Sequence, residues 1–238
     1  MATTSTTGVA LPFDLDAAKV DGLPGSAYYI SDFISIEEEQ LILEKVRYPE
    51  NRQKKTRIIA AAPKPRWKQL THRRLQTWPS DLVHDKLLDA QLPAWLESPI
   101  VSRIQSIPIS VDNETANIFS ASPHQRPNHV LINETARHIG LCKEDGALDP
   151  APAWRILQEP RSLLITTDQL YTDYLHGIAD IKEDVNLSAD TIANWSLLRD
   201  LSALDEGRII RQTRTSLTYR DVLKVSKAAS KIGMFLKR

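Results

Sequence analysis

Near its C-terminal end the chain reads Arg214-Thr215-Ser216-Leu217-Thr218-Tyr219-Arg220. The alternation of this segment, with no Gly or Pro, marks a β-strand. Side chains of a strand alternate between faces, so residues an even number apart share one. Arg214 and Arg220 therefore present two guanidinium forks to the same side. Guanidinium groups bind carboxylates through paired hydrogen bonds, and such a face suits a dicarboxylate. The alternative is a pair of surface strand arginines.

The chain has 238 residues, enough for one domain with a sizeable core, alone or with an extension. Its 30 basic residues balance 30 acidic ones, so no global field draws in a polyanion. The single Cys142 excludes an internal disulfide framework and a cysteine-built zinc site, and suits a reducing compartment. Met1 to Gly8 is Thr-rich without an apolar segment, so a signal peptide is not expected. No apolar run approaches the roughly 18 residues of a membrane span. The expectation is a soluble, intracellular monomer with no membrane partner.

Residues 1–26 read as a flexible lead, followed by a domain over 27–225 and a basic tail over 226–238. Tyr28-Tyr29-Ile30 forms a short strand. Ser35-Ile36-Glu37-Glu38 is a capping box that opens a helix through about Val46. Leu82 to Leu88 predicts a short helix, Pro93 to Ile107 a second one, and Ser110 to Asn128 a loop. His129 to Asn133 and Ser162 to Thr166 read as strands. Asp168 is placed to cap a short helix that runs to Leu175 and is followed by His176-Gly177. Residues 180–207 read as an acidic surface loop, and Arg211 to Arg220 as the last strand. The strands His129 to Asn133, Ser162 to Thr166 and Arg211 to Arg220 are expected to pack as one core.

From Arg47 to Arg74 there are ten basic residues against one acid, Glu50, with Trp67, His72 and Trp78 within or just beyond. Basic residues interleaved with aromatics hold phosphates and stack on bases. That gives Lys64, Arg66, Lys68, Arg73 and Arg74 as candidate nucleic-acid contacts. The simpler reading is a solvated loop anchored by its tryptophans. Residues 47–57, strongly polar and without periodicity, read as a disordered insert.

Several segments combine in order: Ala62 to Trp67, Arg73 to Pro79, Pro127 to Asn133, Glu159 to Leu164, Tyr174 to Ile178, and Arg214 to Arg220. The series resembles the AlkB-type Fe(II)/2-oxoglutarate dioxygenases, and most the sixth AlkB-homologue subgroup, over most of residues 27–225. The resemblance implies a mainly β fold with flanking helices, built on a double-stranded β-helix or jelly-roll. It also implies Fe(II) on two His and a carboxylate, 2-oxoglutarate as co-substrate, and oxidative dealkylation of nucleic acid or a related substrate in nucleus or cytoplasm. Residue by residue, His176 matches an iron ligand. Arg214 matches the arginine on the distal carboxylate of 2-oxoglutarate, Arg220 the second arginine, and Asn133 the co-substrate-facing Asn.

The departures are specific. Thr135 stands where the family has Tyr. None of the six histidines, at 72, 84, 124, 129, 138 and 176, is followed two residues later by a carboxylate, so the His-x-Asp iron motif is missing. Lys143-Glu144-Asp145-Gly146 is either that motif with Lys in place of His, leaving Asp145 as a metal ligand, or part of a later variable segment. Protonated Lys has no lone pair for a metal. Both alignments imply an incomplete jelly-roll and impaired turnover. The alternatives are a catalytically silent nucleic-acid-binding module and a non-functional splice or gene-model variant.

Overall fold

A computed structural model describes residues 9–48, 67–71, 73–111, 114–135, 152–174, 176–178, 181–204 and 206–226. Their architecture is mixed, with short helices and several small, mostly antiparallel sheets. The strands are β1 (Ala27–Ile30), β2 (Lys68–Gln69), β3 (Arg73–Trp78), β4 (Leu87–Leu88), β5 (Ile109–Val111) and β6 (Glu114–Ala116). They continue as β7 (His129–Thr135), β8 (Leu163–Thr166), β9 (Glu183–Asp184), β10 (Ile209–Ile210), β11 (Arg214–Arg220) and β12 (Val225–Ser226). Among the described residues no sheet closes on itself.

The contacts divide the chain into two compact units. One comprises Met1–Leu41, Ile107–Ala116 and Arg137–Gln212; the other comprises Ile42–Ser106, Asn117–Ala136 and Thr213–Arg238. The second unit holds the largest sheet, with strand order β11-β7-β3-β2. Strand β7 is central, paired antiparallel with β3 and β11 along its length. Val130 and Ile132 point to one face of it and are fully buried. Burial of each side chain contributes about 1.5–3 kcal/mol. On that face the Tyr219 hydroxyl donates to the Leu96 carbonyl at 2.9 Å, and Trp78 meets Trp95 edge-on at 5.8 Å. These contacts seat helix α2 (Ala94–Leu96) and the segment after it. The kinked segment Glu97–Val101 and a short helix at Ser102–Gln105 continue the expected 93–107 helix. The break lies at Ser98, extended at φ −111° and ψ 130°, because the residue before Pro99 is pushed out of the helical region.

The first unit is built on the antiparallel pair β1–β8, with Tyr29 opposite Leu164. Its core gathers Val20, Ala27, Tyr29, Leu170, Leu187, Ile192, Leu198 and Leu204. The Glu159-Pro160-Arg161 segment acts as a structural staple. The Glu159 carboxylate accepts the Tyr29 hydroxyl at 2.9 Å and the Arg199 backbone N–H at 3.1 Å. Arg161 pairs with Asp32 at 3.1 Å and with Glu39 at 3.4 Å. The capping box forms as expected. Ser35 Oγ accepts the Glu38 N–H at 3.2 Å, the Glu38 carboxylate accepts the Ser35 N–H at 2.8 Å, and the helix runs Ile36–Arg47.

Several expectations are corrected. Strand β8 pairs with β1 in the first unit whereas β7 and β11 belong to the second, so the three strands do not form one core. Leu82 to Leu88 is a tight turn rather than a helix. His84 and Asp85 sit at φ +50° and +58°, Val83 and Lys86 bridge across them, and β4 follows. Part of the 110–128 loop belongs to the β5–β6 hairpin. The lead is packed at Leu15, Ala18 and Val20, all buried. The acidic 180–207 segment buries Leu187, Ile192, Leu198 and Leu204, so it is anchored in the core of the first unit although many of its other described residues are exposed. Thr167, not Asp168, stands at the N-cap of the helix Asp168–Thr172. Strand β11 begins at Arg214 and is not the last, because β12 pairs in parallel with β4. Residues 49–57 of the insert and residues 227–238 of the tail lie outside the described residues.

Candidate functional site

The register of the large sheet places the candidate residues. Across β7, Arg214 and Arg73 both pair with Thr135, Ser216 and Leu75 both pair with Asn133, and Arg220 pairs with His129. Directly opposed residues of neighbouring strands share a face. Asn133, Arg214 and Arg220 therefore lie on one face of the sheet, opposite the face that carries Val130 and Ile132. Along β11 the two arginine Cα atoms are about 20 Å apart. A small diacid fits between them when both long side chains lean inward. Asn133 lies between the two arginine positions, and its Oδ1 is buried without a hydrogen-bond partner.

Two further residues lie on this face: Arg73, read from sequence only as a nucleic-acid contact, and His129, given no site role by the sequence. Arg73 flanks Thr135 on the side away from Arg214, so the two arginines stand about 10 Å apart across β7. Adjacent strand residues face opposite ways, so Arg73 and Arg74 act on different faces. Alternation alone predicts that split once the strand is recognised. His129 is 3% exposed, opposite Arg220. Burial, and then the Arg220 charge, hold its imidazole below the usual range.

His176 belongs to the first unit, whereas Asn133, Arg214 and Arg220 belong to the second. Its Nε2 lies 2.7 Å from the Leu170 carbonyl oxygen. A carbonyl only accepts, so Nε2 carries the proton and Nδ1 keeps the lone pair. Ligating histidines are commonly held by such a bond to the far nitrogen. Asp145 lies outside the described residues, as do Lys64 and Arg66. Lys68 is ion-paired with Asp81 at 2.6 Å. Arg74 pairs with Glu134 at 2.7 Å and lies over the Trp67 ring at 4.3 Å. Of the three described candidate cations, Lys68 and Arg74 thus meet acids of this chain.

No family model matches the chain. A curated relative, the probable RNA/DNA demethylase ALKBH6 of Danio rerio, is 31% identical to it, covering 92% of this chain and 95% of its own length. The chain belongs to the AlkB-like family. The aligned span of 255 positions is longer than this 238-residue AlkB-like chain, so the relative has positions with no counterpart here.

AlkB-like membership implies Fe(II) and 2-oxoglutarate, and the residues present fit the two unequally. For the diacid, Arg214 and Arg220 lie on one sheet face; the orphaned Asn133 Oδ1 between them only accepts and gives a carboxylate no bond. For iron, no group of three or more His, Cys, Asp or Glu able to hold a metal occurs among the described residues. With no His-x-Asp or His-x-Glu in the sequence, His176 has no such motif to complete a facial triad.

Proposed function

We propose that this chain derives from the Fe(II)/2-oxoglutarate-dependent dioxygenases that demethylate nucleic acid, keeps their 2-oxoglutarate grip, and lacks their turnover. The observation that carries the reading is the common sheet face of Asn133, Arg214 and Arg220. Arg214 holds the distal carboxylate of the diacid, Arg220 lies toward its other end, and Asn133 stands between them. Iron is the poorly served partner. A site reduced to His176, or to His176 with Asp145, leaves Fe(II) largely water-bound, and the co-substrate then has only hydrogen bonds to hold it.

Two assays test this reading. The purified chain, supplied with Fe(II), 2-oxoglutarate and a methylated oligonucleotide, should release no succinate above a no-enzyme control. Calorimetric titration should still detect 2-oxoglutarate binding, lost in Arg214→Ala. Iron-dependent succinate formation that disappears in His176→Ala would overturn the claim of lost turnover. Absence of diacid binding would overturn the claim of a retained grip.

The pairing of Arg74 with Trp67 favours a second reading, a silent module that binds nucleic acid. A guanidinium stacked on an indole is a ready platform for a base, and Arg73 adds an exposed cation. Binding through Lys64, Arg66, Lys68, Arg73 and Arg74 should fall steeply with salt. A flat salt dependence would remove phosphates from the account.

A further inference from the structure

We propose that His129 is a further carboxylate-contacting residue, placed to donate a hydrogen bond to the end of the diacid that Arg220 approaches. The inference rests on the diacid reading above and extends its site by one residue.

Three observations carry it. His129 and Arg220 are directly paired across β7 and β11, so their side chains leave the same face of the sheet. His129 is 3% exposed, yet neither ring nitrogen has a hydrogen-bond partner of good geometry, although the Ser80 backbone lies nearby. Buried polar side chains are nearly always satisfied, so a doubly unsatisfied imidazole calls for an occupant. The third observation is that Asn133 Oδ1, on the same face of the same strand, is also buried and unpartnered. That oxygen only accepts and gives a carboxylate nothing, but it shows that this face carries unfilled polar positions, on which the donors are His129 and Arg220.

The charged groups facing His129 are Arg220, which disfavours its protonation, and Asp81, which favours it. Asp81 is itself committed to Lys68 and to the Thr77 hydroxyl. A neutral imidazole has one N–H to give. A ligand carboxylate on Arg220 would accept that N–H and offset the guanidinium charge that opposes a proton on the ring. Ligand binding and His129 protonation are therefore coupled in the favourable sense.

The test is calorimetric titration of the full chain with 2-oxoglutarate and with glutarate, alongside histidine-ring NMR. His129→Phe should weaken both diacids about tenfold, the size of one lost hydrogen bond to a charged group. His129→Gln, which keeps an N–H donor, should recover most of the loss. In the wild-type chain the His129 ring signals should shift on saturation, and the ring should titrate at higher pH than in the free protein. If Arg214→Ala loses binding while His129→Phe binds like wild type, the His129 assignment is overturned and the diacid site stands. If the wild-type chain binds neither diacid, both fall. If His129→Phe does not fold, the wild-type ring signals decide, and their failure to move on saturation overturns the proposal.

Discussion

Tyr29→Phe isolates the staple between β1 and the Glu159 segment. The Tyr29 ring is 1% exposed, and Phe keeps its shape, so no cavity opens. Burial raises the phenol far above its ordinary range, so it remains a proton donor at any working pH. Two hydrogen bonds are lost. The hydroxyl donates to the Glu159 carboxylate at 2.9 Å, and it accepts the Glu159 backbone N–H at 3.0 Å. A bond to a charged group is worth about 1.5–3 kcal/mol and a neutral one about 1. The carboxylate keeps its bonds to the backbone N–H groups of Arg199 and Asp200, which trims the loss. The expected cost is about 2 kcal/mol, roughly a thirtyfold drop in the protection of a local opening. Amide hydrogen exchange in peptides covering β1 and β8 reads it directly. Glu159→Gln alone should cost about 1 kcal/mol, and the double variant should fall short of the sum of the singles, because the groups touch. A change below about threefold for Tyr29→Phe, or strict additivity in the cycle, would refute the staple.

Other consequences can be measured with ordinary equipment. Ile132→Ala, at a fully buried position of the central strand, should cost about 3–4 kcal/mol in denaturant unfolding. Ser35→Ala removes the cap of the helix Ile36–Arg47 and should cost about 1 kcal/mol, seen as faster amide exchange in its first turn. His129 has a folded pKa below its unfolded 6.5, so the unfolded chain binds more protons below that pH. Its contribution to stability is therefore full above 6.5 and is lost as pH falls below it, and His129→Phe should flatten this part of the curve. Asp81, also depressed but from 3.8, acts only at lower pH, so the two are separable. Glu134→Gln releases Arg74 from its ion pair and should strengthen single-stranded oligonucleotide binding at low salt; unchanged affinity would exclude Arg74 as a contact.

The local signals in the chain proved readable because their physics is local. The Ser35-Ile36-Glu37-Glu38 box closes through groups three residues apart and needs no distant partner. The strands at Tyr28–Ile30, His129–Asn133 and Leu163–Thr166 follow from apolar patterning over a few residues. The turn at Val83–Lys86 was missed because His84 and Asp85 adopt positive φ without a glycine to announce it. The 180–207 segment reads as surface because its seven acidic residues outnumber the four apolar ones that enter the core.

By itself the sequence determines that Arg214 and Arg220 share a face, because alternation along one strand is a property of the backbone. It also determines that no histidine of this chain stands in a His-x-Asp or His-x-Glu triplet. Which strands lie beside which was decided by the tertiary structure alone. Register between strands distant in sequence is set by burial of their apolar residues against a common core, a quantity no single segment contains. That choice brings Arg73 alongside Thr135, sets His129 beneath Arg220 without a hydrogen-bond partner, and pairs β8 with β1 rather than with β7.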